Sequence, residues 1–502
     1  MKSIKIKFNP VICKVEGLNK DLVESIKYRF KVNLSEERYN DFKNKTKLPL
    51  SKENDNYYLV EEHDKYINIP TGLLPKLVKY LRTTKINFQL DKHIEPTLLE
   101  PKPYSPTLRD NQKLCVDKFL KSKRGILKAF TRFGKSFALA NFVNQFPTTV
   151  NRLILVPGKS LLYQMQKDIA KVLTIPVESI GLIGDGNYNI QPITIAIPDT
   201  LVVRLQDWNK EITNYLQSVK VVVFDECHDC NNPSAVMLSD YLTEAEYKIG
   251  MSATPYTAPF LILEGTIGEI LLEFEEQDGI DSGVIDAPTI VFHKLDKQVY
   301  LTPQLANFKF NSGQFGNKEM FLYNKLKEQI LCLNTYRNDL GVKIICQRLG
   351  EGRTVLVLVD RVGTSGGLNH AQMIRDLLLK KGIDFPIVDG NTKKRESYYE
   401  KLESGELKGI IGSAGILTQG VTIKAVSSLV LLCGGSEKKA LYDNKQVKNI
   451  VQRIGRTLTK SEGKLAPTID DILDCQHIFA SHAQSRYKAA ITAYGKDNVR
   501  MV

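Results

Sequence analysis

The apolar positions fall into different rhythms along the chain. Over residues 1–95, Ile4 to Phe8, Val11 to Val15 and Tyr57 to Val60 read as short strands, whereas Asp21 to Arg29 and Gly72 to Leu81 carry helical spacing. That mixture predicts a small α+β domain. Pro96, Pro101, Pro103 and Pro106 then disfavour continued helix or strand, so residues 96–106 read as a linker. From Leu108 to about Thr254 the pattern becomes short continuous apolar runs separated by helical stretches: Leu127, Arg152 to Val156, Ile193 to Ile197, Val221 to Phe224 and Lys248 to Met251. A second such block spans about 288–480, with Thr354 to Val359, Ile387 to Val388, Gly409 to Ser413 and Ser428 to Cys433. Continuous rather than alternating apolar runs imply strands covered on both faces, hence parallel sheets flanked by helices. The expected architecture is α/β: two tandem parallel-sheet lobes, at 107–280 and 281–480, behind an N-terminal α+β domain at 1–95. A C-terminal helical tail is expected at 481–502. The acidic, glycine-containing segment Glu275 to Ala287 is expected to join the lobes.

The chain has 502 residues, enough for roughly three domains, and a net charge of +13. A basic balance suits a polyanionic partner, though a solvated basic surface produces it equally well. Residues 1–95 hold 19 Lys and Arg against 13 Asp and Glu, an asymmetry that favours a binding module there. No apolar run approaches the roughly 20 residues needed to cross a bilayer, and Met1 to Lys5 alternates charged and apolar side chains, so a cytoplasmic protein without a membrane partner is expected. The eight cysteines are scattered, which suits reduced thiols. Cys227-His228-Asp229-Cys230 has zinc-like spacing with no matching pair elsewhere.

The chemistry concentrates in a few short segments. Ala129-Phe130-Thr131-Arg132-Phe133-Gly134-Lys135-Ser136 follows an apolar stretch and opens a helical one, so backbone N–H groups of Thr131 to Gly134 can face phosphate oxygens while Lys135 adds charge at the β and γ phosphates. The run Val221 to Phe224 delivers Asp225 and Glu226 to a strand's C-terminal end, where parallel sheets bind ligands. One carboxylate there can hold Mg2+, together with Ser136, and the next can orient and deprotonate a water. Ser252-Ala253-Thr254-Pro255 is by itself only a turn. Gln452-Arg453-Ile454-Gly455-Arg456 places arginines on a presumed helix start of the second lobe, from which a guanidinium can reach a γ-phosphate.

Taken in order, these segments resemble the motifs of a superfamily 2 helicase over about residues 105–480. Leu108 to Gln112 is similar to the adenine-recognising Q motif, Ala129 to Ser136 to motif I, Asp225 to His228 to motif II and Ser252 to Thr254 to motif III. Val156 to Leu161 with Gln164 resembles motif Ia, and Pro198-Asp199-Thr200-Leu201 a later strand-contacting motif. In the second lobe Leu356 to Asp360, Val388 to Thr392 with Arg395, Ser413 to Thr422 and Gln452 to Arg456 follow the family order. The resemblance implies two RecA-like lobes, ATP and Mg2+ as cofactors, and a catalytic set of Lys135, Asp225, Glu226, Arg456 and Arg453. It implies nucleotide contacts from Gln112, Arg109, Thr131, Gly134, Ser136 and Gly420, and nucleic-acid contacts from Lys159, Ser160, Thr200, Thr418 and Gln419. His228, Ser252 and Thr254 are implied to couple hydrolysis to movement. The Asp-Glu-Cys-His box, the Gln164-Met165 pair, Ile267 to Ile270 and the basic N-terminal domain resemble phage helicases of the UvsW type, relatives of branch-migration and XPB-like DNA translocases. Thr459 departs from the family pattern, which carries an arginine at that place; Arg453 and Lys460 can replace the charge.

These readings lead to an ATP-dependent DNA helicase or translocase acting on branched, forked or duplex DNA or R-loops. RNA as substrate, or a motor on duplex DNA that separates no strands, remain the alternatives. If residues 1–95 are a separate grip, with Lys76, Lys79, Arg82 and Lys85 beside one helix, deleting them is expected to weaken junction affinity more than basal ATP hydrolysis.

Overall fold

The computed structural model describes residues 3–207, 209–256, 259–309, 317–360, 369–389, 392, 395–413, 423–434, 454–455 and 463–502. The described chain forms two compact units that divide between Phe274 and Glu275.

The first unit begins with a five-stranded sheet in the order Glu61–His63, Tyr66–Pro70, Ile12–Glu16, Ile4–Phe8 and Phe88–Lys92. Its alternation is visible in Ile4 and Ile6, which are buried between exposed Lys5 and Lys7. A small second sheet pairs Asn56–Tyr58 with Lys31–Val32 and Ser51–Glu53. Asn19 and Ser35 cap helices Lys20–Arg29 and Glu36–Lys45 by accepting the N–H groups of Leu22 and Arg38. Helix Leu74–Thr83 buries Leu77 and Leu81 in the same core.

Residues 124–274 build an eight-stranded sheet in the order Asn187–Asn189, Gly181–Gly184, Ile193–Ala196, Asn151–Leu155, Val219–Asp225, Tyr247–Ser252, Arg124–Ala129 and Ile270–Phe274. Every pairing is parallel except that of the hairpin strand Asn187–Asn189. Helices such as Lys135–Val143, Lys159–Leu173 and Pro198–Gln206 connect the strands, so all chain crossings return the C-terminal strand ends to one edge.

The N-terminal region is not a tethered module. Its core includes Val236, Leu261 and Ile262 from the parallel-sheet lobe. Gly72 lies so close to the backbone of residues 264–265 that a Cβ would sit 1.9 Å from the Glu264 carbonyl oxygen. Lys76 Nζ meets Glu264 at 2.6 Å, and the Arg124 guanidinium donates to Pro10, Thr266 and Ile267 carbonyls at 2.6, 2.9 and 3.1 Å. Lys76, read from the sequence as one of four cations beside one helix, is therefore drawn to the lobe. The proline-rich stretch is strapped down too: Thr97 N–H donates to Glu246, and Gln145 exchanges hydrogen bonds with the Lys102 backbone. Because the core is shared, deleting residues 1–95 acts on the lobe's packing as well as on any grip the region supplies.

The second unit has a seven-stranded sheet, Ile387–Val388, Gly409–Ser413, Val355–Val359, Ser428–Leu431, Thr468–Leu473, Thr289–Lys294 and Val499–Met501, with all pairings parallel. The segment expected to join the lobes contains helix Glu276–Asp281, which packs on helix His477–Tyr494 within this unit. Residues 481–502 are not only helical: Val499–Met501 closes one edge of the sheet beside Thr289–Lys294. Strand Thr468–Leu473 escaped the apolar pattern because it carries Asp470 and Asp471, whose buried carboxylates are met by Arg348 and His293 and by Arg486.

Candidate active site at the parallel-sheet edge of the first unit

Strand Arg124–Ala129 ends in a loop, residues 130–134, that turns into helix Lys135–Val143. The turn is tight enough to need two left-handed residues, Arg132 at φ +81° and Gly134 at φ +78°. Phe130 and Phe133 are buried, their rings edge to face at 5.5 Å, with Phe274 4.8 Å beyond Phe133, and these anchors hold the loop from below. From the side, Gln112 Nε2 donates to the carbonyls of Phe133 and Gly134 at 2.9 and 3.3 Å, and Arg109 also donates to Phe133. Gln112 Oε1 accepts the Arg109 N–H at 2.9 Å. Gln112, read from the sequence as the adenine contact, and Arg109, read as a nucleotide contact, both also brace the loop. Lys135 opens the helix and turns its Nζ to the Ala129 carbonyl at 3.3 Å.

Strand Val219–Asp225 brings Asp225 to the same edge, one strand removed from the loop's strand. Burial, then the neighbouring charge of Glu226, pushes the Asp225 carboxyl up to about 7, against the opposing pull of Lys135, the Glu226 N–H and His228. A buried carboxyl that its surroundings of Glu226, Lys135 and His228 leave raised is one that an added cation would favour in its charged form. Glu226 follows with φ +48° in the left-handed region, an unusual backbone for a non-glycine residue. That twist turns the chain into the short helix Cys227–Asp229.

His228 then joins two segments: its Nδ1 is 3.3 Å from Glu226 Oε2 and 2.9 Å from Ser252 Oγ. Burial would lower the imidazole pKa, but the Glu226 hydrogen bond and charge and the charge of Asp229 raise it overall. Ser252 ends strand Tyr247–Ser252, and its hydroxyl accepts the Thr254 N–H at 3.0 Å. Cys227 and Cys230 are buried thiols whose pKa is raised chiefly by burial, and the described residues hold no His, Cys, Asp or Glu cluster arranged for a metal ion.

Lys159 and Ser160 start helix Lys159–Leu173, and Thr200 lies in the first turn of helix Pro198–Gln206; the two helices follow adjacent parallel strands. Lys159 is 70% exposed and pairs with Asp185 at 2.5 Å. Two residues here escaped the sequence reading. Asp185 forms, with Gly186, the tip of a hairpin with φ of +51° and +81°, a turn that Asp-Gly between two strand-like runs signals. Asp168, on helix Lys159–Leu173, has its pKa raised by burial while hydrogen bonds from Ser136 and Gln164 oppose the rise. Its sequence neighbourhood gives no signal, because only helix packing brings it to Ser136. Arg453, Arg456, Thr418, Gln419 and Gly420, with Thr459 and Lys460, lie outside the described residues.

Residues 105–257 match the family described as type III restriction enzyme, res subunit, and residues 339–459 match the helicase conserved C-terminal domain. Over 407 residues the chain is 25% identical to the DNA 3'-5' translocase XPB2 of Sulfurisphaera tokodaii, covering 76% of this chain and 87% of that protein. The chain belongs to the superfamily 2 helicases. This helicase is also 23% identical over 396 residues to the ATP-dependent DNA helicase uvsW of Enterobacteria phage T4, covering 75% of this chain and 70% of that protein. Its two parallel-sheet lobes have the RecA-like fold, with a TM-score of 0.52 to S. cerevisiae Dbp5 bound to RNA and ADP BeF3 at 14% identity, over 85% of this chain and 93% of that one. As a member of this superfamily it is a nucleic-acid-dependent ATPase. No described helix of the helicase is long and apolar enough to cross a membrane.

Proposed function

We propose that this helicase uses ATP to translocate on DNA and remodel branched or forked structures. The observation that carries the reading is the meeting, at one sheet edge, of the Gly134-Lys135 helix start, the Asp225-Glu226 pair and the His228–Ser252 contact. Its DNA preference is supported by two relatives, each a DNA translocase or helicase by name.

The residues fit a magnesium nucleotide. Gly134 holds the left-handed φ of +78° that side-chain-bearing residues rarely adopt, the tight turn that lets backbone N–H groups approach phosphates. Ser136 and Asp225 supply a hydroxyl and a carboxylate for Mg2+, which when bound offsets phosphate charge. Lys135, released from the Ala129 carbonyl, supplies the compact cation for the β and γ phosphates. Glu226 is the proposed base: it holds the attacking water and takes its proton, and His228 fixes the carboxylate's direction. Through Ser252 and Thr254 the same imidazole passes the state of Glu226 to the neighbouring strand end. Gln112 and Arg109, by bracing the loop, make its shape responsive to what lies beside them. Arg456 is the proposed finger of the second lobe, with Arg453 or Lys460 offsetting Thr459. Lys159, Ser160 and Thr200, with Thr418 and Gln419, are the proposed sequence-independent contacts to strand phosphates, and Gly420 the proposed nucleotide contact beside them.

ATP hydrolysis measured with single-stranded, duplex, forked, four-way and RNA-containing substrates tests the reading, together with strand displacement. Strongest stimulation by forked or four-way DNA is expected. Stimulation by RNA alone would replace DNA as the substrate, and hydrolysis indifferent to every nucleic acid would sink the proposal.

A further inference from the structure

Helices Lys20–Arg29 and Leu74–Thr83 flank an open cleft of about 620 Å3 in the N-terminal region, remote in sequence from every motif of the ATP site. Its lining includes Tyr28, Arg29, Lys79 and Tyr80 and contains no carboxylate. Tyr28 is 80% exposed. Tyr80 is fixed by a 2.6 Å hydrogen bond between its hydroxyl and Ser25 Oγ, and the Arg29 guanidinium stacks over its ring at 4.0 Å. Lys76 also lines the cleft but is turned to Glu264. Among the described residues neither Arg29 nor Lys79 has an acidic partner within ion-pair distance.

The pieces have a specific chemical complement. Two cations without counter-charge attract phosphate, and a guanidinium held over an aromatic ring still has N–H groups to offer anion oxygens. A solvent-facing tyrosine offers a π face to a base, but bases in a duplex already have both faces stacked, so only an unpaired base gains by the contact. A cleft of several hundred Å3 has room for one or two nucleotides.

We propose that this cleft binds an unpaired nucleic-acid strand, one base stacking on Tyr28 and the flanking phosphates meeting Arg29 and Lys79. The inference rests on the nucleic-acid-dependent motor reading above and adds to it a grip that lies outside both RecA-like lobes. Because Arg124 and Glu264 bind this region to the strand leading into the phosphate loop and to the lobe beside it, the grip moves with the first lobe.

The test is photo-crosslinking of the full-length chain to a short oligonucleotide carrying 5-iodouracil, as DNA and as RNA of one sequence, followed by peptide mapping. Crosslinks to Tyr28 or Tyr80 in either arm support the proposal, and the reactive arm names the strand. Tyr28→Ala and the double variant Arg29→Gln with Lys79→Gln are expected to weaken oligonucleotide affinity by about tenfold, with an unchanged melting temperature showing that the fold is intact. Unchanged affinity in both, or crosslinks confined to the two lobes, would overturn the cleft. A wild-type chain whose ATP hydrolysis responds to no nucleic acid overturns the motor reading instead.

Discussion

The imidazole Nδ1 of His228 lies 2.9 Å from the hydroxyl of Ser252. This one contact ties the strand end that bears the two acidic residues to the strand lying between it and the phosphate loop, and the same nitrogen is 3.3 Å from Glu226. Removing the hydroxyl is therefore expected to separate chemistry from movement. Ser252→Ala should hydrolyse ATP within a few-fold of the wild type while strand displacement falls by an order of magnitude or more, compared on one forked substrate. Equal loss of both activities would make the contact structural only.

Glu226→Gln keeps size and hydrogen bonding but removes the base. Its hydrolysis rate is expected to drop by about 10²–10⁴, with nucleotide affinity near the wild-type value in equilibrium binding. Substantial turnover would move the base elsewhere.

Gly134→Ala tests the loop. The φ of +78° disfavours alanine and its Cβ would press on Gln112 Nε2 at 2.5 Å, so stability should fall by about 1–2 kcal/mol and ATP affinity with it. Gln112→Ala should reverse part of the affinity defect by vacating that space. Independent, additive effects in the double variant would contradict the contact.

Acid should loosen the N-terminal region from the first lobe. Burial alone would raise the Glu246 carboxyl, but hydrogen bonds from Lys123, Lys92 and the Thr97 N–H outweigh it and hold the group at about 2, below its ordinary 4.5. A carboxyl depressed in this way contributes stability above its unfolded pKa, and that contribution fades as pH falls from about 4.5 toward about 2. Allowing for screening of the half-exposed lysines, its size is on the order of 2 kcal/mol. Melting temperature against pH should show wild type and Glu246→Gln converging at the acid end; parallel curves would remove Glu246 from the linkage.

Truncation to residues 96–502 should fail for a reason unrelated to nucleic acid. It uncovers Val236, Leu261 and Ile262, each worth about 1.5–3 kcal/mol when buried, and takes Lys92 from Glu246, Lys76 from Glu264 and the Pro10 carbonyl from Arg124. The expected result is low solubility and a lowered unfolding temperature; a stable, fully ATP-competent fragment would show that the shared core contributes little.

Local order and local chemistry were legible in the chain itself. Uninterrupted runs such as Val221 to Phe224 announced buried parallel strands, because only strands covered on both faces lack the polar alternation seen at Ile4 to Phe8. Lys135, Asp225 and Glu226 could be named because phosphate loops and strand-end acids need those residue types in short contiguous segments. What depended on contacts distant in the chain could not be read. Strand Thr468–Leu473 was hidden by aspartates whose arginine partners lie up to 122 residues away, Gln112 became the brace of a loop 21 residues on, and Asp168 reached Ser136 only through helix packing. The prolines of residues 96–106 suggested a free linker, yet Gln145 and Glu246 pin it to the lobe. The sequence determined the uninterrupted apolar strands and which residues could handle phosphate, since periodicity and side-chain chemistry are local properties. The tertiary structure alone decided which charges are paired, which polar groups brace the loop and where one core ends, since burial and partnership belong to residues that meet only after folding.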